Sequence, residues 1–162
     1  MERLYFLRGV SGPEKISQKL ACIGTSAGGI LISRAITERP DLFAAAVCNV
    51  GLANVMRREF SPFGPIDTPE FGTVKDPVEC QALFEMDGVQ HVQKGVTYPA
   101  VMGVGGWNDS RCPAWQPGKF VAALQAATTS EKPVLMKVNY DNGHFTEEKI
   151  VHWHPIASTK LV

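Results

Sequence analysis

The stretch from Leu20 to Gly29 most constrains how this 162-residue chain can fold. Its apolar first part predicts a buried strand from Leu20 to Gly24, and the segment from Ala27 to Glu38 predicts a helix. Between strand and helix lies the pattern Gly-x-Ser-x-Gly, centred on Ser26. A serine in this position is held at the tip of a sharp strand-to-helix turn, with its hydroxyl exposed and its backbone strained.

This turn has two interpretations. In the first, Ser26 is a nucleophile; in the second, the segment is an ordinary glycine-rich turn that binds a phosphate at the helix N-terminus. Glycines flank the serine at positions 24 and 28, where we expect bulkier side chains to collide between the strand and the helix. The strand before the turn and the helix after it favour the nucleophile.

The composition excludes several classes of function. Residues 1–162 form one domain by length, with 44% hydrophobic residues, 20% charged residues and a formal net charge of zero. We therefore expect no nucleic-acid partner, and no membrane partner because no apolar run approaches the ~20 residues of a membrane span. Charged residues interrupt any apolar run in the first eight residues, so we expect no signal peptide and favour a cytoplasmic location. The four cysteines form no Cys-x-x-Cys pair, so we expect no zinc and no other cofactor.

Strand and helix signals alternate along the remaining chain. Further buried strands are predicted at Ala44 to Gly51, Tyr98 to Gly105 and Pro133 to Val138, with helices at Val78 to Met86 and Pro117 to Thr128. Short, continuously apolar strands that alternate with helices predict an α/β fold, with a mostly parallel sheet covered by helices on both faces. In such sheets, ligands and reacting groups lie beyond the carboxyl ends of the strands.

Residues 52–77 interrupt this alternation. Prolines and glycines recur there, together with three aromatic residues, Phe60, Phe63 and Phe71. We expect a long irregular but ordered loop, because the phenylalanines argue against disorder. Two interpretations stay open for these phenylalanines: they line a pocket, or they only pack the loop onto the surface.

Three polar residues follow three predicted strands in the order Ser26, Asp109, His144. A serine hydroxyl needs a base to become a nucleophile, and the base needs a third group to orient it, so this order predicts a Ser–Asp–His triad. Taken singly, Asp109 also suits a turn and His144 also suits a surface loop. His152 and His154 are rival bases, and a metal site formed by the three histidines is disfavoured because no carboxylate pattern accompanies them.

The motifs together resemble the C-terminal part of the catalytic domain of prolyl oligopeptidase family serine peptidases. The matching segments span roughly residues 14–150, and they are Gly24 to Gly29, Arg39 to Phe43, Tyr98 to Val101, Asn108 to Arg111 and Gly143-His144. The resemblance implies a three-layer α/β-hydrolase domain that lacks its N-terminal side. It also implies cleavage of short peptides through an acyl-enzyme, with Ser26 as nucleophile, Asp109 as acid and His144 as base.

The same resemblance suggests further roles. The N–H of Ala27 matches one oxyanion-hole donor, and Arg111 matches an arginine that binds a substrate carbonyl. The segment with Phe60, Phe63 and Phe71 corresponds to part of the family's specificity pocket. The second oxyanion donor, a tyrosine on an upstream loop, has no match in this sequence.

Two consequences follow from the short region before the first strand. That strand is expected to leave an unpaired edge, covered by self-association, by residues 1–19 or by an upstream catalytic-domain segment. Activity is expected to be weak or biased towards activated esters. The sequence therefore leaves three functions open: a peptidase, a carboxylesterase with the same triad, and an inactive fragment that serves only as a structural or interaction module.

Overall fold

The structure is a computed structural model, and it describes residues 20–144. Strands and helices alternate within this part of the chain. The elements are β1 (Ala21–Thr25), α1 (Gly28–Glu38), β2 (Ala45–Asn49), α2 (Gly64–Phe71), α3 (Pro77–Met86), β3 (Ala100–Gly106), α4 (Trp115–Ala127) and β4 (Val134–Asn139). Short 3-10 turns occur at Pro40–Leu42, Val55–Phe60 and Val89–His91.

The four strands form one parallel sheet in the order β1-β2-β3-β4. Because neighbouring strands are parallel, each connection must cross over from the end of one strand to the start of the next. All four carboxyl ends therefore lie at the same edge of the sheet, where the polar residues that follow β1, β3 and β4 meet. The predicted α/β fold with a parallel sheet is confirmed.

The core lies on one face of this sheet. One residue from each strand lies in the same register row and faces α1 and α4; these residues are Cys22, Ala46, Val101 and Val134. The two helices complete the apolar cluster, α1 with Ile32 and Ile36, and α4 with Phe120, Val121 and Leu124. Right-handed crossovers between strands that are added in one direction place every connecting helix on the same side. The observed strand order therefore explains why both helices cover the same face.

The opposite face carries an exposed apolar row. Ile23, Val47, Met102 and Leu135 are neighbours across the four strands, and three of them are well exposed: Ile23 at 66%, Met102 at 38% and Leu135 at 52%. Helices on both faces were expected from the sequence. Within residues 20–144, α1 and α4 lie on one face only.

The segment after β2 is more regular than the sequence suggested. Residues 52–77 were expected to be an irregular loop, but they contain the 3-10 turn at Val55–Phe60 and the helix α2. Pro65 lies in the first turn of α2, where a missing N–H costs nothing, and the hydroxyl of Thr68 donates to the carbonyl of Gly64. The prolines therefore start and shorten a helix here, and the expectation of an irregular segment was wrong.

Candidate active site

The turn after β1 holds Ser26 in a strained backbone conformation. Its φ angle is 56°, in the left-handed region that residues other than glycine rarely adopt. The Ser26 N–H donates to the carbonyl of Asn49 (3.1 Å), and the Ser26 carbonyl accepts from the N–H groups of Gly29 (3.0 Å) and Leu52 (2.9 Å). These bonds tie the turn to the end of β2 and to the start of α1, which keeps the strained conformation in place.

The glycines around Ser26 differ in their reasons for being glycine. A Cβ on Gly24 would lie 2.3 Å from the carbonyl oxygen of Gly28, and one on Gly29 would lie 2.6 Å from the N atom of Leu52. At Gly28, a Cβ would meet no atom within 4 Å. The expected collision is therefore present at Gly24 and absent at Gly28. Gly29, outside the five-residue motif, is the second position at which the backbone comes too close for a side chain.

Asp109 lies in the turn that follows β3. Its N–H donates to the carbonyl of Gly106 (3.2 Å), and its side chain is fully buried. The Oδ1 atom accepts hydrogen bonds from the N–H groups of Arg111 (2.9 Å) and Cys112 (2.8 Å). Two backbone donors thus fix one oxygen of the carboxylate, and Oδ2 is directed to another partner.

That partner is His144, whose imidazole links Asp109 to Ser26. The distance from His144 Nδ1 to Asp109 Oδ2 is 2.8 Å, and the distance from Nε2 to the Oγ atom of Ser26 is 3.0 Å. The carboxylate only accepts, so Nδ1 carries the proton and Nε2 accepts from the serine hydroxyl. The His144 side chain is 6% exposed, so little solvent competes for these bonds. The three residues, separated by up to 118 positions, form one continuous hydrogen-bonded chain.

A fourth residue at this site was not anticipated from the sequence. The thiol of Cys112 is buried and lies 3.8 Å from Ser26 Oγ, and its N–H is one of the two donors to Asp109. Burial raises the pKa of the Cys112 thiol, so it remains protonated at neutral pH. Its position three residues after Asp109 was the available signal, since a turn around a carboxylate brings the next few residues back towards it.

A small cavity of about 160 Å³ lies beside His144, at the carboxyl ends of the strands. Its walls are mostly polar or small, and one of them is Val50, a second residue with a positive φ angle (41°). The lining residues are Thr25, Asn49, Val50, Val104, Gly106, Asn139, Gly143 and His144. The three phenylalanines proposed for a pocket are not among them.

The other predicted site residues lie on neighbouring segments. Ala27 is exposed directly after Ser26, and no hydrogen bond within the described residues uses its N–H. Arg111 is exposed in the turn of Asp109. Phe60 is 61% exposed under the guanidinium of Arg57, whereas Phe63 and Phe71 are half-buried at the two ends of α2. Their roles in binding a substrate remain predictions.

Neither a metal site nor a membrane span is present within residues 20–144. No group of three histidine, cysteine, aspartate or glutamate side chains is placed to hold a metal ion in this part of the chain. The alternative bases His152 and His154 lie outside the described residues. No helix in the described part is both long and apolar enough to cross a bilayer.

Comparison with known proteins gives a consistent result. Residues 15–156 match the model of the prolyl oligopeptidase family. The chain is 32% identical over 126 residues to a prolyl endopeptidase of Elizabethkingia miricola, and the aligned region covers 77% of this chain and 18% of the relative. It is 30% identical over 129 residues to Protease 2 of Moraxella lacunata, and the aligned region covers 78% of this chain and 19% of the relative. The chain thus spans less than a fifth of these relatives.

Solved structures agree with the sequence matches. A prolyl endopeptidase superimposes with a TM-score of 0.75 at 33% identity, over 78% of this chain and 19% of the other. Oligopeptidase B from Leishmania major gives a TM-score of 0.75 at 29% identity, over 80% of this chain and 18% of the other. The sheet, the turn at Ser26 and these matches lead to one conclusion: the chain belongs to the prolyl oligopeptidase family of serine peptidases and has its α/β-hydrolase-like fold.

Proposed function

We propose that this chain hydrolyses peptide bonds of short peptides, with Ser26, His144 and Asp109 as its catalytic triad. The observation that carries the proposal is the unbroken chain of hydrogen bonds from Ser26 Oγ through His144 to Asp109 Oδ2. The strained turn at Ser26 and membership of a family of serine peptidases also support it.

In the first step, Ser26 Oγ attacks the carbonyl carbon of the scissile bond. His144 Nε2 takes the hydroxyl proton as the Oγ–C bond forms, and Asp109 stabilises the imidazolium through the Nδ1–H bond. The tetrahedral intermediate then collapses, the C–N bond breaks, and His144 returns the proton to the leaving amine. The product of this step is an ester between Ser26 and the acyl part of the substrate.

In the second step, water replaces the amine. His144 Nε2 takes a proton from the water as its oxygen attacks the ester carbon, and then gives the proton to Ser26 Oγ as the ester bond breaks. The acid product leaves, and the enzyme returns to its starting state. His144 thus serves as base and then as acid in each half of the cycle.

The negative charge that develops on the carbonyl oxygen needs a donor. The N–H of Ala27 suits this role because it follows the nucleophile at the start of α1, where backbone donors point away from the helix. A site with one such donor instead of two is expected to be slower by about 10²–10³-fold. Activated esters demand less of the site, so they are the more sensitive substrates.

A fluorophosphonate probe tests the nucleophile directly, because it labels only an activated serine. We expect labelling of the wild-type chain, loss of labelling in Ser26→Ala, and unchanged labelling in the control Ser110→Ala, which alters an exposed serine beside Asp109. A chain that is folded and unlabelled would contradict the proposal and favour the structural or interaction role.

Substrate panels then separate the two hydrolase functions. Chromogenic peptides and p-nitrophenyl esters are compared in the wild-type chain and in Ser26→Ala. Peptide cleavage that depends on Ser26 supports the peptidase. Ester cleavage alone, with every peptide left intact, would contradict the peptidase and favour a carboxylesterase.

A further inference from the structure

Arg58 is a buried arginine close to the triad, in the 3-10 turn at Val55–Phe60. It is 4% exposed, and burial lowers the pKa of its guanidinium. A buried cation is costly unless polar groups compensate it, so its partners show what it is placed to hold. Nη2 forms an ion pair with Asp67 of α2, and Nη1 donates to the Oγ atom of Ser61 (2.8 Å) and to the carbonyl oxygen of Arg111 (2.6 Å).

The contact with Arg111 joins Arg58 to the carboxylate of Asp109 through a single peptide unit. The C=O of that unit belongs to Arg111 and accepts from Arg58, whereas its N–H belongs to Cys112 and donates to Asp109 Oδ1. A peptide unit is planar, and its C=O and N–H point to opposite sides. Arg58 and Asp109 therefore bind opposite edges of one planar, rigid peptide unit.

The position of this peptide unit also determines where Cys112 lies. The Cys112 side chain begins at the next Cα atom, and its thiol is 3.8 Å from Ser26 Oγ. A shift of the peptide would move the donor to Asp109 and the thiol beside Ser26 at the same time. The charge on Arg58 also polarises the C=O, and this strengthens the N–H as a donor to the carboxylate.

We propose that Arg58 is a positioning residue of this active site. Through the Arg111–Cys112 peptide it orients the carboxylate of Asp109, and thereby His144. Asp67 and Ser61 hold the guanidinium in place for this purpose. The inference rests on the proposed function, because it assigns Arg58 to the triad proposed above.

The test replaces Arg58 in the full chain and measures both catalysis and the Asp109–His144 bond. Arg58→Met keeps the length of the side chain without its donors, Arg58→Lys keeps one charged donor group, and Arg57→Met is the matched control at the exposed neighbouring position. The readouts are kcat and KM for an activated ester, and the downfield NMR resonance of the His144 proton shared with Asp109.

We expect Arg58→Met to lose about 10²-fold in kcat with KM changed less than threefold, as is typical when a catalytic group is misplaced by about 1 Å. The downfield proton should be lost or moved upfield in this variant. Arg58→Lys should recover part of both signals, and Arg57→Met should match the wild type. A role in stability alone would leave the proton resonance of the folded variants unchanged.

Circular dichroism decides which variant is informative. If Arg58→Met does not fold, Asp67→Asn replaces it, because this change weakens the hold on Arg58 while leaving a polar partner. We then expect a smaller loss of kcat and a shifted downfield proton. A folded Arg58→Met or Asp67→Asn with wild-type kcat and an unchanged resonance would overturn the inference.

The resonance separates this inference from the proposed function. A wild-type chain that shows the downfield proton but no fluorophosphonate labelling contradicts the proposed function, whereas loss of the proton in Arg58→Met still supports the positioning role. A labelled wild-type chain whose proton is unaffected by Arg58→Met overturns the positioning role alone. Absence of the proton in the wild type counts against both.

Discussion

At the scale of single residues, the two glycines that flank Ser26 differ in the space around them: a side chain at Gly24 would collide with the backbone, whereas one at Gly28 would not. We predict that Gly24→Ala lowers the free energy of unfolding by about 1–3 kcal/mol, because its Cβ would lie 2.3 Å from Gly28 O and 2.5 Å from the Cγ1 atom of Ile32. Urea unfolding of the purified chain measures this loss.

Gly28→Ala is the matched control for this prediction. The new Cβ meets nothing within 4 Å, and alanine suits a helix better than glycine, so the stability should stay within about 1 kcal/mol of the wild type or rise. Equal effects at positions 24 and 28 would contradict the argument from backbone contact.

Three cysteines give a prediction about pH: Cys48 and Cys112 are buried, and Cys22 is partly buried. Burial raises the pKa of Cys22 to about 11 and that of Cys48 to about 12, and it raises the pKa of Cys112 as well. Below its raised pKa each thiol stays protonated, and only the thiolate reacts. At pH 8 the thiolate fraction of Cys22 is therefore about 10⁻³, and it grows roughly tenfold per pH unit until pH 11.

The measurement is the rate of reaction with Ellman's reagent in a Cys80→Ser variant, which removes the cysteine of α3. We expect slow reaction at pH 8, faster reaction at higher pH, and rapid reaction of all three thiols in urea. Fast reaction of the folded protein at pH 8 would show that the thiols are less buried than the structure indicates.

At the scale of elements, a buried amide joins the segment after β2 to α4. Gln116 is fully buried, and its Oε1 atom accepts from the N–H groups of Ala53 (3.2 Å) and Asn54 (2.7 Å), while Nε2 donates to the Asn54 carbonyl (3.1 Å). Asp87 holds the same segment from the end of α3, through the side chain of Asn54 and the N–H of Met56. These side-chain hydrogen bonds fix the segment after β2, where the backbone hydrogen bonds of the sheet have ended.

We predict that Gln116→Met lowers the free energy of unfolding by about 2–4 kcal/mol, because it leaves the buried N–H groups of Ala53 and Asn54 without partners. The Asn54 carbonyl loses one of its two donors and keeps the N–H of Arg57. Chemical denaturation provides the measurement. The control is Gln81→Met on the exposed side of α3, which should change stability by no more than about 0.5 kcal/mol. Similar small effects of both changes would mean that water satisfies the backbone groups in place of Gln116.

The elements also show where reasoning from sequence is strong. Each predicted strand and each of the three predicted helices is present within two residues or so of its expected limits. Apolar runs, glycine stops and proline starts are local signals, and the local chain largely decides these elements. In α2 the same signals misled, because a short helix with prolines at its second and sixth positions shows no apolar period.

At the scale of the whole molecule, the strand order leaves β1 at an open edge. Within residues 20–144, β1 pairs only with β2, and it carries no charge or proline that would discourage further pairing. Ile23 is exposed on the same strand. We propose that two copies of the chain pair antiparallel along β1, because a two-fold axis there gives both copies the same contact.

Sedimentation velocity tests this association. We predict a dimer whose fraction rises with protein concentration, and a shift to monomer in Ile23→Lys. The control Ile66→Lys alters an equally exposed isoleucine on α2 and should leave the dimer intact. A monomer at all concentrations would contradict self-association. If the β1 amides of that monomer are protected from exchange, cover by residues 1–19 is favoured. A monomer with unprotected β1 amides would contradict any cover of this edge within the chain.

The sequence alone determined the class of the fold and the identity of the three triad candidates. These features depend on chemistry that is written locally: an apolar run that stops at glycine, a serine between glycines, and a polar residue directly after a strand. Because parallel strands share one edge for their carboxyl ends, local positions already predicted that Ser26, Asp109 and His144 would meet.

Only the tertiary structure decided what surrounds these residues. Arg58 and Arg111 are 53 positions apart and Ser26 and Cys112 are 86 apart, and no periodicity links either pair. Likewise, within residues 20–144 the position of both α1 and α4 on one face of the sheet follows from the direction in which strands are added, which apolar runs do not encode. Local signals determine which elements form, whereas contacts between distant segments depend on how those elements pack.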